Sequence, residues 1–323
     1  MINPSFFDAK KVMVTGGTGL IGTNMINQLL HSGAKITAII HKTKPYINNK
    51  KINYIKADLT KYDECLKITK NQDYIIHCAA ASFGIEIMSK DPKRLVTSNI
   101  LMNTNLLDAA HTNKVERFLF ISSSTIYPPS NMEIPEEYDK NKEPFPLYLG
   151  VGGTKRMGEY LCDFYRKTYG MKICILRPVN TYGPFDKFGE GSHVLPALIK
   201  RAEKENPLNV WGDGETVRDF IYIDDFIDQA LLALEKKADC DPLNIGTGIA
   251  QPLRQIIPLI MKAWNKKEYE IKYDNSKPNA NPYVILSIGK SRNSLGITPG
   301  ITLEEGTKRT VEWYKKNKGK IRR

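Results

Sequence analysis

The segment from Thr15 to Gly22, TGGTGLIG, places glycines where a strand would turn into a helix. Gly16 permits a tight turn, Gly19 lets the backbone approach a phosphate, and Gly22 lets the helix pack closely on the strand. The helix N-terminus adds amides and a positive dipole, which suit a pyrophosphate. Because the segment follows an apolar run and opens a helical pattern, it predicts a dinucleotide site rather than a plain turn. The expected loop contacts are Gly16, Thr18, Gly19, Leu20, Ile21 and Gly22.

The second predicted strand ends in the residues IIHKTK at 39–44, without the acidic residue that usually binds the ribose 2′-hydroxyl of NAD. Lys42 or Lys44 would attract a 2′-phosphate, so the sequence favours NADP(H) over NAD(H); solvated lysines are the alternative. Asp58 and Leu59 follow the third strand and are placed for an adenine, although an acidic turn residue is an equally simple interpretation.

Alternating strand and helix patterns must position these residues. Strands are predicted at 11–15, 35–40, 52–55, 74–80, 117–122 and 172–176, and helices after the glycine loop, at 99–110 and at 158–169. This alternation predicts an α/β fold, a Rossmann-type doubly wound parallel sheet with its ligand at the carboxyl ends of the strands.

After Arg177 and Pro178 the pattern changes to prolines, glycines and shorter elements. We therefore expect a dinucleotide-binding domain at 1–178 and a smaller C-terminal substrate-binding lobe at 179–323 that shares the cleft. The segment near 242–248 reads as one more strand and could return to the sheet.

Composition excludes several classes of protein. The net charge is +12, but the lysines are spread through the chain, and no basic and aromatic stripe indicates nucleic-acid binding. The basic run at 315–323 is interpreted as a solvated tail. No apolar run approaches the length of a membrane span. Five cysteines without CxxC spacing favour reduced thiols in a cytoplasm and predict no metal site.

A set of ordered segments resembles the extended short-chain dehydrogenases/reductases, the NAD(P)-dependent nucleotide-sugar epimerase/dehydratase family. Within it, the resemblance is strongest to GDP-L-fucose synthase-like epimerase/reductases. It implies a nucleoside-diphosphate sugar as substrate and a homodimer. The segments are the glycine loop, HCAA at 77–80, SSSTIYP at 122–128, KRMGE at 155–159, RPVNTYGP at 177–184, SHVLPALIKR at 192–201, VWGDGETVRDFIYIDD at 210–225 and LGITPGITLEEG at 295–306.

Carried over position by position, the resemblance implies a role for each site residue. Ser123 would hydrogen-bond the reacting sugar oxygen, Lys155 would bind the nicotinamide ribose, and His193 would be an acid/base of sugar epimerisation. The implied cofactor contacts are His41, Lys42, Asp58, Leu59, Ala79, Ala80, Asn99 and Lys155. The implied substrate contacts are Thr125, Asn180, Val194, Arg201, Trp211 and Arg218, of which the two arginines suit diphosphate oxygens.

Three positions depart from the family. A tyrosine normally stands four residues before the lysine, one helical turn away, so that the lysine lowers the phenol's pKa; here that position is Val151. Thr125 replaces the cysteine of the fucose synthases' epimerisation pair, and its hydroxyl does not ionise usefully near neutral pH. The segment at 277–284 lacks the usual basic residue, which leaves GDP, UDP, dTDP and CDP open.

Val151 admits three interpretations. Another group, such as Tyr148, His193 or a water held by Lys155, moves the proton; Tyr148 would need an irregular backbone at 148–154. The residue could also have been engineered, or the protein binds its ligands without turning them over. The sequence thus predicts an NADP(H)-dependent epimerase/reductase acting on a 4-keto sugar nucleotide for a surface glycan. The alternative is a non-catalytic binding protein on the same fold.

Overall fold

The computed structural model describes Asn3, residues 5–278 and residues 280–321. Asn279, within the 277–284 segment, and Arg322 and Arg323, at the end of the basic run, lie outside the described residues. The strands are β1 (Lys11–Thr15), β2 (Lys35–Ile40), β3 (Ile52–Lys56), β4 (Tyr74–His77), β5 (Arg117–Ile121), β6 (Lys172–Pro178), β7 (Asn180–Tyr182), β8 (Leu208–Trp211), β9 (Val217–Arg218), β10 (Phe220–Tyr222), β11 (Leu243–Ile245), β12 (Gln251–Pro252), β13 (Ile271–Asp274) and β14 (Tyr283–Val284).

The helices alternate with these strands over the first half of the chain. They are α1 (Leu20–Leu29), α2 (Tyr62–Thr69), α3 (Ile85–Lys90), α4 (Thr97–Thr112), α5 (Leu149–Tyr169), α6 (Val194–Lys204), α7 (Ile223–Lys236), α8 (Leu253–Ala263), α9 (Gly289–Leu295) and α10 (Leu303–Asn317). Short 3₁₀ turns at Ser124–Ile126 and Pro146–Tyr148 precede α5.

Seven strands form one parallel sheet in the order β11-β6-β5-β4-β1-β2-β3. The crossover from β3 back to β4, on the other side of β1, creates the switch point at which doubly wound sheets bind ligands. Strand interiors such as VMV in β1 and FLFI in β5 are buried, as expected for a sheet covered by helices on both faces. The predicted fold class is confirmed.

The sequence placed some boundaries wrongly. Strand β4 ends at His77, not at Ala80, so Cys78 to Ala80 leave the sheet as a loop. Helix α5 begins at Leu149, so Gly150, Gly152 and Gly153, which the sequence left open as a source of irregular backbone, are helical. Glycine weakens a helix by about 1 kcal/mol relative to alanine, so the local pattern argued for a loop.

The second half of the chain builds small sheets beside the large one: β10-β7, β12-β9-β14 and β13-β8. Strand β11 returns to the edge of the large sheet, where Leu243 pairs with Leu176 of β6. One apolar core runs from β1 and α1 through β6 into α6, α7 and α8, which ties the two halves together. Within the described ranges, no helix is long and apolar enough to cross a membrane.

Candidate active site

The glycine loop joins β1 to α1 at the carboxyl edge of the sheet. Gly16 adopts a left-handed conformation (φ 66°), and a Cβ on Gly22 would lie 2.2 Å from the Gly16 carbonyl oxygen. Only glycine at position 22 lets α1 begin this close to the turn. Gly19 is the N-cap and contributes no side-chain cap. The first-turn amides of Leu20, Ile21 and Gly22 therefore remain available for an anion.

The residues predicted to contact the adenosine end follow β2 and β3 at the same edge. The side chains of His41 and Lys42 are exposed. Asp58 lies near His41, which helps to lower the carboxyl pKa, but hydrogen bonds from Thr60 are the larger cause. Those bonds engage Oδ1 of Asp58 in a turn. The Leu59 side chain is buried in the core, so any contact with a ligand would come from its backbone.

The loop after β4 is held by two buried side chains. His77 lies between Thr15 Oγ1 (2.8 Å from Nδ1) and Asn103 Oδ1 (3.0 Å from Nε2), and burial lowers its pKa to about 4. Asn99 accepts a hydrogen bond from the Ala81 amide and donates to the carbonyls of Ala81 and Leu95. The predicted cofactor residue Asn99 is thus turned toward this loop, which brings Ala79 and Ala80 beside Gly16.

Ser123 follows β5 and begins the short 3₁₀ turn. Its Oγ accepts hydrogen bonds from the amide (3.1 Å) and from Oγ1 (3.0 Å) of Thr125. A hydroxyl has two lone pairs and one proton. Because both lone pairs are engaged, the Ser123 proton is left to donate, and Thr125 fixes the direction in which it does so.

Helix α5 carries Val151 and Lys155 on one face, since its backbone is regular from Leu149 onward. A Cβ on Gly152 would lie 2.4 Å from the Thr125 carbonyl oxygen, so this glycine is what lets α5 lie against the turn that holds Ser123. Val151 is half-buried and belongs to neither hydrophobic core. The structure therefore contradicts an irregular backbone at 148–154 with Val151 buried in the core.

The Lys155 ammonium donates a 2.6 Å hydrogen bond to the Ile121 carbonyl and lies 5.1 Å from the centre of the Phe120 ring. Burial lowers the pKa of Lys155 to about 8, and the charge of Glu159 only partly opposes that effect. Glu159 is engaged elsewhere, because its two carboxylate oxygens accept from Arg177 at 2.9 and 2.6 Å. The amine is therefore a cation without its own counter-ion in the described part of the site.

Tyr148 is the N-cap of α5 and lies against Arg218, where its hydroxyl raises the arginine's pKa. It faces the arginine instead of Lys155. Arg218 is 5% exposed, and the desolvation of its guanidinium outweighs the effect of Tyr148 and lowers its pKa. Nη1 donates to the Val217 carbonyl at 2.7 Å, whereas Nη2 is buried and has no partner among the described residues.

The neighbouring Asp219 does not neutralise Arg218. Its carboxylate is fully buried and accepts hydrogen bonds from the amides of Thr247 and Gly248 and from the Thr247 hydroxyl. Burial raises the pKa of Asp219 to about 6 despite these bonds. Arg218 is thus a buried cation whose free donors await an acceptor, a feature that spacing alone could not reveal.

His193 is the N-cap of α6 and lies next to the loop after β4. Its Nε2 lies 3.2 Å from the Ser82 hydroxyl. Surrounding protein atoms lower the pKa of His193, and the charge of Lys187 lowers it further. Ser82 was not singled out in the sequence, and it is 111 residues from His193, so no local signal could have identified this pair.

The remaining predicted substrate residues lie on the second half of the chain. Asn180 in β7 donates to the Asp219 carbonyl, Val194 opens α6, and Trp211 ends β8 with Lys277 5.9 Å from its ring centre. Arg201 donates to the Asn209 carbonyl at 2.7 Å, and burial lowers its pKa. In the described ranges, no cluster of three or more histidine, cysteine, aspartate or glutamate side chains could hold a metal ion.

Comparison with known proteins covers nearly the whole chain. The profile of the NAD dependent epimerase/dehydratase family matches residues 12–246. GDP-L-fucose synthase 1 of Arabidopsis thaliana is 30% identical over 318 residues, which cover 95% of this chain and 94% of the relative.

Two solved structures share the fold over similar lengths. UDP-glucose 4-epimerase of Thermotoga maritima, solved with UDP-glucose, has a TM-score of 0.85 at 27% identity and covers 95% of this chain and 99% of its own. UDP-glucuronic acid 4-epimerase of Bacillus cereus, solved with UDP-glucuronic acid and NAD, has a TM-score of 0.82 at 29% identity, with coverage of 95% and 99%.

Proposed function

Because the chain belongs to the NAD-dependent epimerase/dehydratase family, we propose that it is an NADP(H)-dependent epimerase/reductase acting on a 4-keto sugar nucleotide. One observation carries the substrate half of this proposal: Arg218 is a buried cation with an unpartnered Nη2. A nucleoside diphosphate supplies the acceptor oxygens and the negative charge that this guanidinium lacks. The two neighbouring structures were solved with nucleotide sugars, which agrees with that chemistry.

The residues present fit a nicotinamide dinucleotide. Gly22 packs against Gly16 so closely that a Cβ would clash with the Gly16 carbonyl, and α1 begins there without a side-chain cap, which leaves its first amides free for a pyrophosphate. We assign the pyrophosphate to the loop contacts Gly16, Thr18, Gly19, Leu20, Ile21 and Gly22. The preference for NADP(H) rests on exposed Lys42, with His41, Asp58 and the Leu59 backbone beside the adenosine.

The chemistry follows from the orientation of the side chains. When bound, the nicotinamide supplies a hydride for the sugar carbonyl. Ser123 donates its free proton as a hydrogen bond to the carbonyl oxygen, and Thr125 holds that hydroxyl in place. Lys155 holds the nicotinamide ribose, beside Ala79 and Ala80, while Asn99 fixes their loop. A carbonyl polarised in this way is a better hydride acceptor.

We place the sugar between Ser123 and His193 and the diphosphate at Arg201 and Arg218. The lowered pKa of His193 keeps its ring neutral at pH 7, so it can act as a base for epimerisation beside the keto group. Asn180, Val194 and Trp211 line the nucleotide side of the same space. Val151 contributes no acid or base and leaves open the position that a tyrosine would fill.

We also propose a cytoplasmic homodimer. All five cysteines are free thiols, which suits a reducing compartment. Met157, Tyr160 and Phe164 follow one face of α5 and are 47%, 68% and 42% exposed, and Ile100 and Leu101 of the adjacent α4 extend this apolar surface. A two-fold pairing of like surfaces would bury it. Light scattering should show a dimer that Tyr160→Glu converts into a monomer.

The rival function is a binding protein that does not catalyse. Val151 and Thr125 favour it, because both positions have lost an ionisable group. The test is to incubate the protein with NADPH and a panel of 4-keto nucleotide sugars and to follow absorbance at the NADPH band. Turnover that is lost in Ser123→Ala supports the reductase. Tight binding of both ligands without turnover supports the rival, and failure to bind either ligand refutes both.

A further inference from the structure

The reduction of a carbonyl needs a proton as well as a hydride, and in this chain the usual phenol is absent. The titratable groups near Ser123 narrow the choice of donor. Burial raises the pKa of the Cys78 thiol to about 12. Both nitrogens of His77 are engaged by Thr15 and Asn103. Tyr148 is turned toward Arg218 on the other side of the cleft.

Ser123 cannot relay a proton from Lys155. Both of its lone pairs are taken by the amide and hydroxyl of Thr125, so its oxygen has no position left to accept a third hydrogen bond. It can polarise the sugar oxygen, but the side chain that donates to it is the Thr125 hydroxyl, which is not acidic enough to supply a proton near neutral pH. The proton must therefore reach the sugar oxygen by another path.

Lys155 has the position and the freedom to provide that path. It lies one turn from Val151 on the same face of α5, and α5 is fixed against the Ser123 turn by the close packing at Gly152. The carbonyl that holds its ammonium belongs to Ile121, two residues before Ser123. Glu159, the nearest carboxylate along the helix, is occupied by Arg177. Among the described residues, no acidic side chain is paired with the ammonium and prevents it from moving toward the sugar.

We propose that Lys155 is the acid that protonates the reduced sugar oxygen, directly or over one bound water, across the space that Val151 leaves open. This inference rests on the proposed reductase function. The carbonyl carbon gains the hydride of a reduced nicotinamide dinucleotide, the C=O π bond breaks, and a C–H and an O–H bond form. Lys155 is left as a neutral amine, which solvent reprotonates. Its lowered pKa makes the ammonium a stronger acid than an ordinary lysine.

The first test needs no turnover. Competitive acetylation of the resting protein across pH 6–11, followed by peptide mass spectrometry, reports the neutral fraction of each lysine amine. We expect Lys155 to become reactive near pH 8, with exposed Lys200 as the reference. Reactivity that rises only near pH 10, as for an unperturbed lysine, or no reactivity at any pH, overturns the inference.

The second test separates proton donation from ribose binding. Lys155→Arg keeps a cation and hydrogen-bond donors but cannot release a proton, because the guanidinium pKa exceeds about 12. We expect NADPH affinity within about three-fold of wild type, while kcat falls by roughly 10²–10⁴, the usual contribution of a positioned acid. Wild-type kcat should also decline above pH 8. Adding Val151→Tyr to Lys155→Arg should recover at least ten-fold, since a phenol replaces the missing acid.

The outcomes distinguish this inference from the function on which it rests. Wild-type protein that oxidises no NADPH with any 4-keto sugar nucleotide refutes the reductase, and the acetylation profile still decides whether Lys155 is an acid of the required strength. Turnover that Lys155→Arg leaves intact, or a decline above pH 8 that disappears in His193→Asn instead, refutes Lys155 as the donor.

Discussion

Arg177 and Arg218 are both buried, but we predict that replacing them changes the stability of the protein in opposite directions. Arg177 and Arg218 are 3% and 5% exposed, so both guanidinium groups have lost most of their water. Arg177 is paired with both oxygens of Glu159 and also donates to Tyr127 and to the Glu136 carbonyl. Within the described part of the chain, Arg218 has only the Val217 carbonyl and the nearby Tyr148 hydroxyl. We expect Arg177→Met to destabilise the protein and Arg218→Met to stabilise it.

The magnitudes follow from the partners. An unpaired buried ion costs several kcal/mol after relaxation. Hydrogen bonds to a charged group return about 1.5–3 kcal/mol each, so the bonds of Arg218 offset only part of that cost. Arg218→Met should then raise the free energy of unfolding by about 1–3 kcal/mol. Arg177→Met leaves Glu159 buried and unpaired, which should lower the free energy of unfolding by about 3–5 kcal/mol.

The Arg218→Met substitution that stabilises the free protein should weaken ligand binding. Each charge-assisted bond from Arg218 to a diphosphate oxygen is worth about 1.5–3 kcal/mol, so Arg218→Met should weaken UDP or GDP by at least about ten-fold. NADPH affinity should stay unchanged and serves as the control. Urea unfolding followed by circular dichroism gives the stabilities, and titration calorimetry gives the affinities. An Arg218→Met protein that is less stable than wild type yet binds nucleoside diphosphates equally well would refute the assignment.

Three further changes probe the cofactor end and the catalytic helix. Lys42→Glu should weaken NADPH at least about ten-fold more than NADH, since a charge-assisted contact is lost; equal losses in binding titrations would show that Lys42 only faces solvent. Val151→Tyr should raise the rate of NADPH oxidation by no more than about ten-fold, because Lys155 already supplies an acid, and it should not lower the melting temperature; a lower melting temperature and an unchanged rate would indicate overpacking. Burial lowers the pKa of Lys155 from 10.5, its value in the unfolded chain, to about 8 in the folded protein. Below pH 8 the folded protein therefore pays the full cost of burying the charge, and this cost fades as the pH rises toward 10.5. Lys155→Met should therefore be more stable than wild type at pH 7, by about 1 kcal/mol after allowance for solvent screening, and a stability gap in urea that does not narrow by pH 10 would contradict this.

The local sequence was sufficient to predict the structure where neighbouring elements are contiguous in the chain. The apolar run of β1, the glycines at 16–22 and the stripe of α1 are contiguous, so the strand, the glycine turn and the helix could be predicted from spacing alone. Strands β1 and β2 were predicted to the residue for the same reason. The parallel, doubly wound arrangement of the sheet followed from the alternation of elements and the handedness of crossovers.

Contacts between segments that are distant in the sequence determine the features of the site that the sequence did not predict. The glycines at 150–153 argued for a loop, but Gly152 is needed where α5 meets the Thr125 carbonyl, a contact between separate segments. Arg218 lacks a counter-ion because the neighbouring Asp219 carboxylate is hydrogen-bonded to Thr247, which lies 28 residues later in the sequence. Tyr148 was considered as a partner for Lys155, yet the regular helix directs it to Arg218.

Helix α5 explains how the chain can lack the tyrosine without losing the site. Its position is set by the packing of Gly152 against Thr125 and of Gly158 against Phe120. The ion pair between Glu159 and Arg177 adds a third contact. None of these contacts involves residue 151, and Val151 packs on neither core. Exchanging the residue at 151 therefore changes the acid available in the cleft while leaving Lys155 and Ser123 in place. We therefore expect ligand binding and turnover to be separable properties of this protein, so that substitutions at 151 vary the second without disturbing the first.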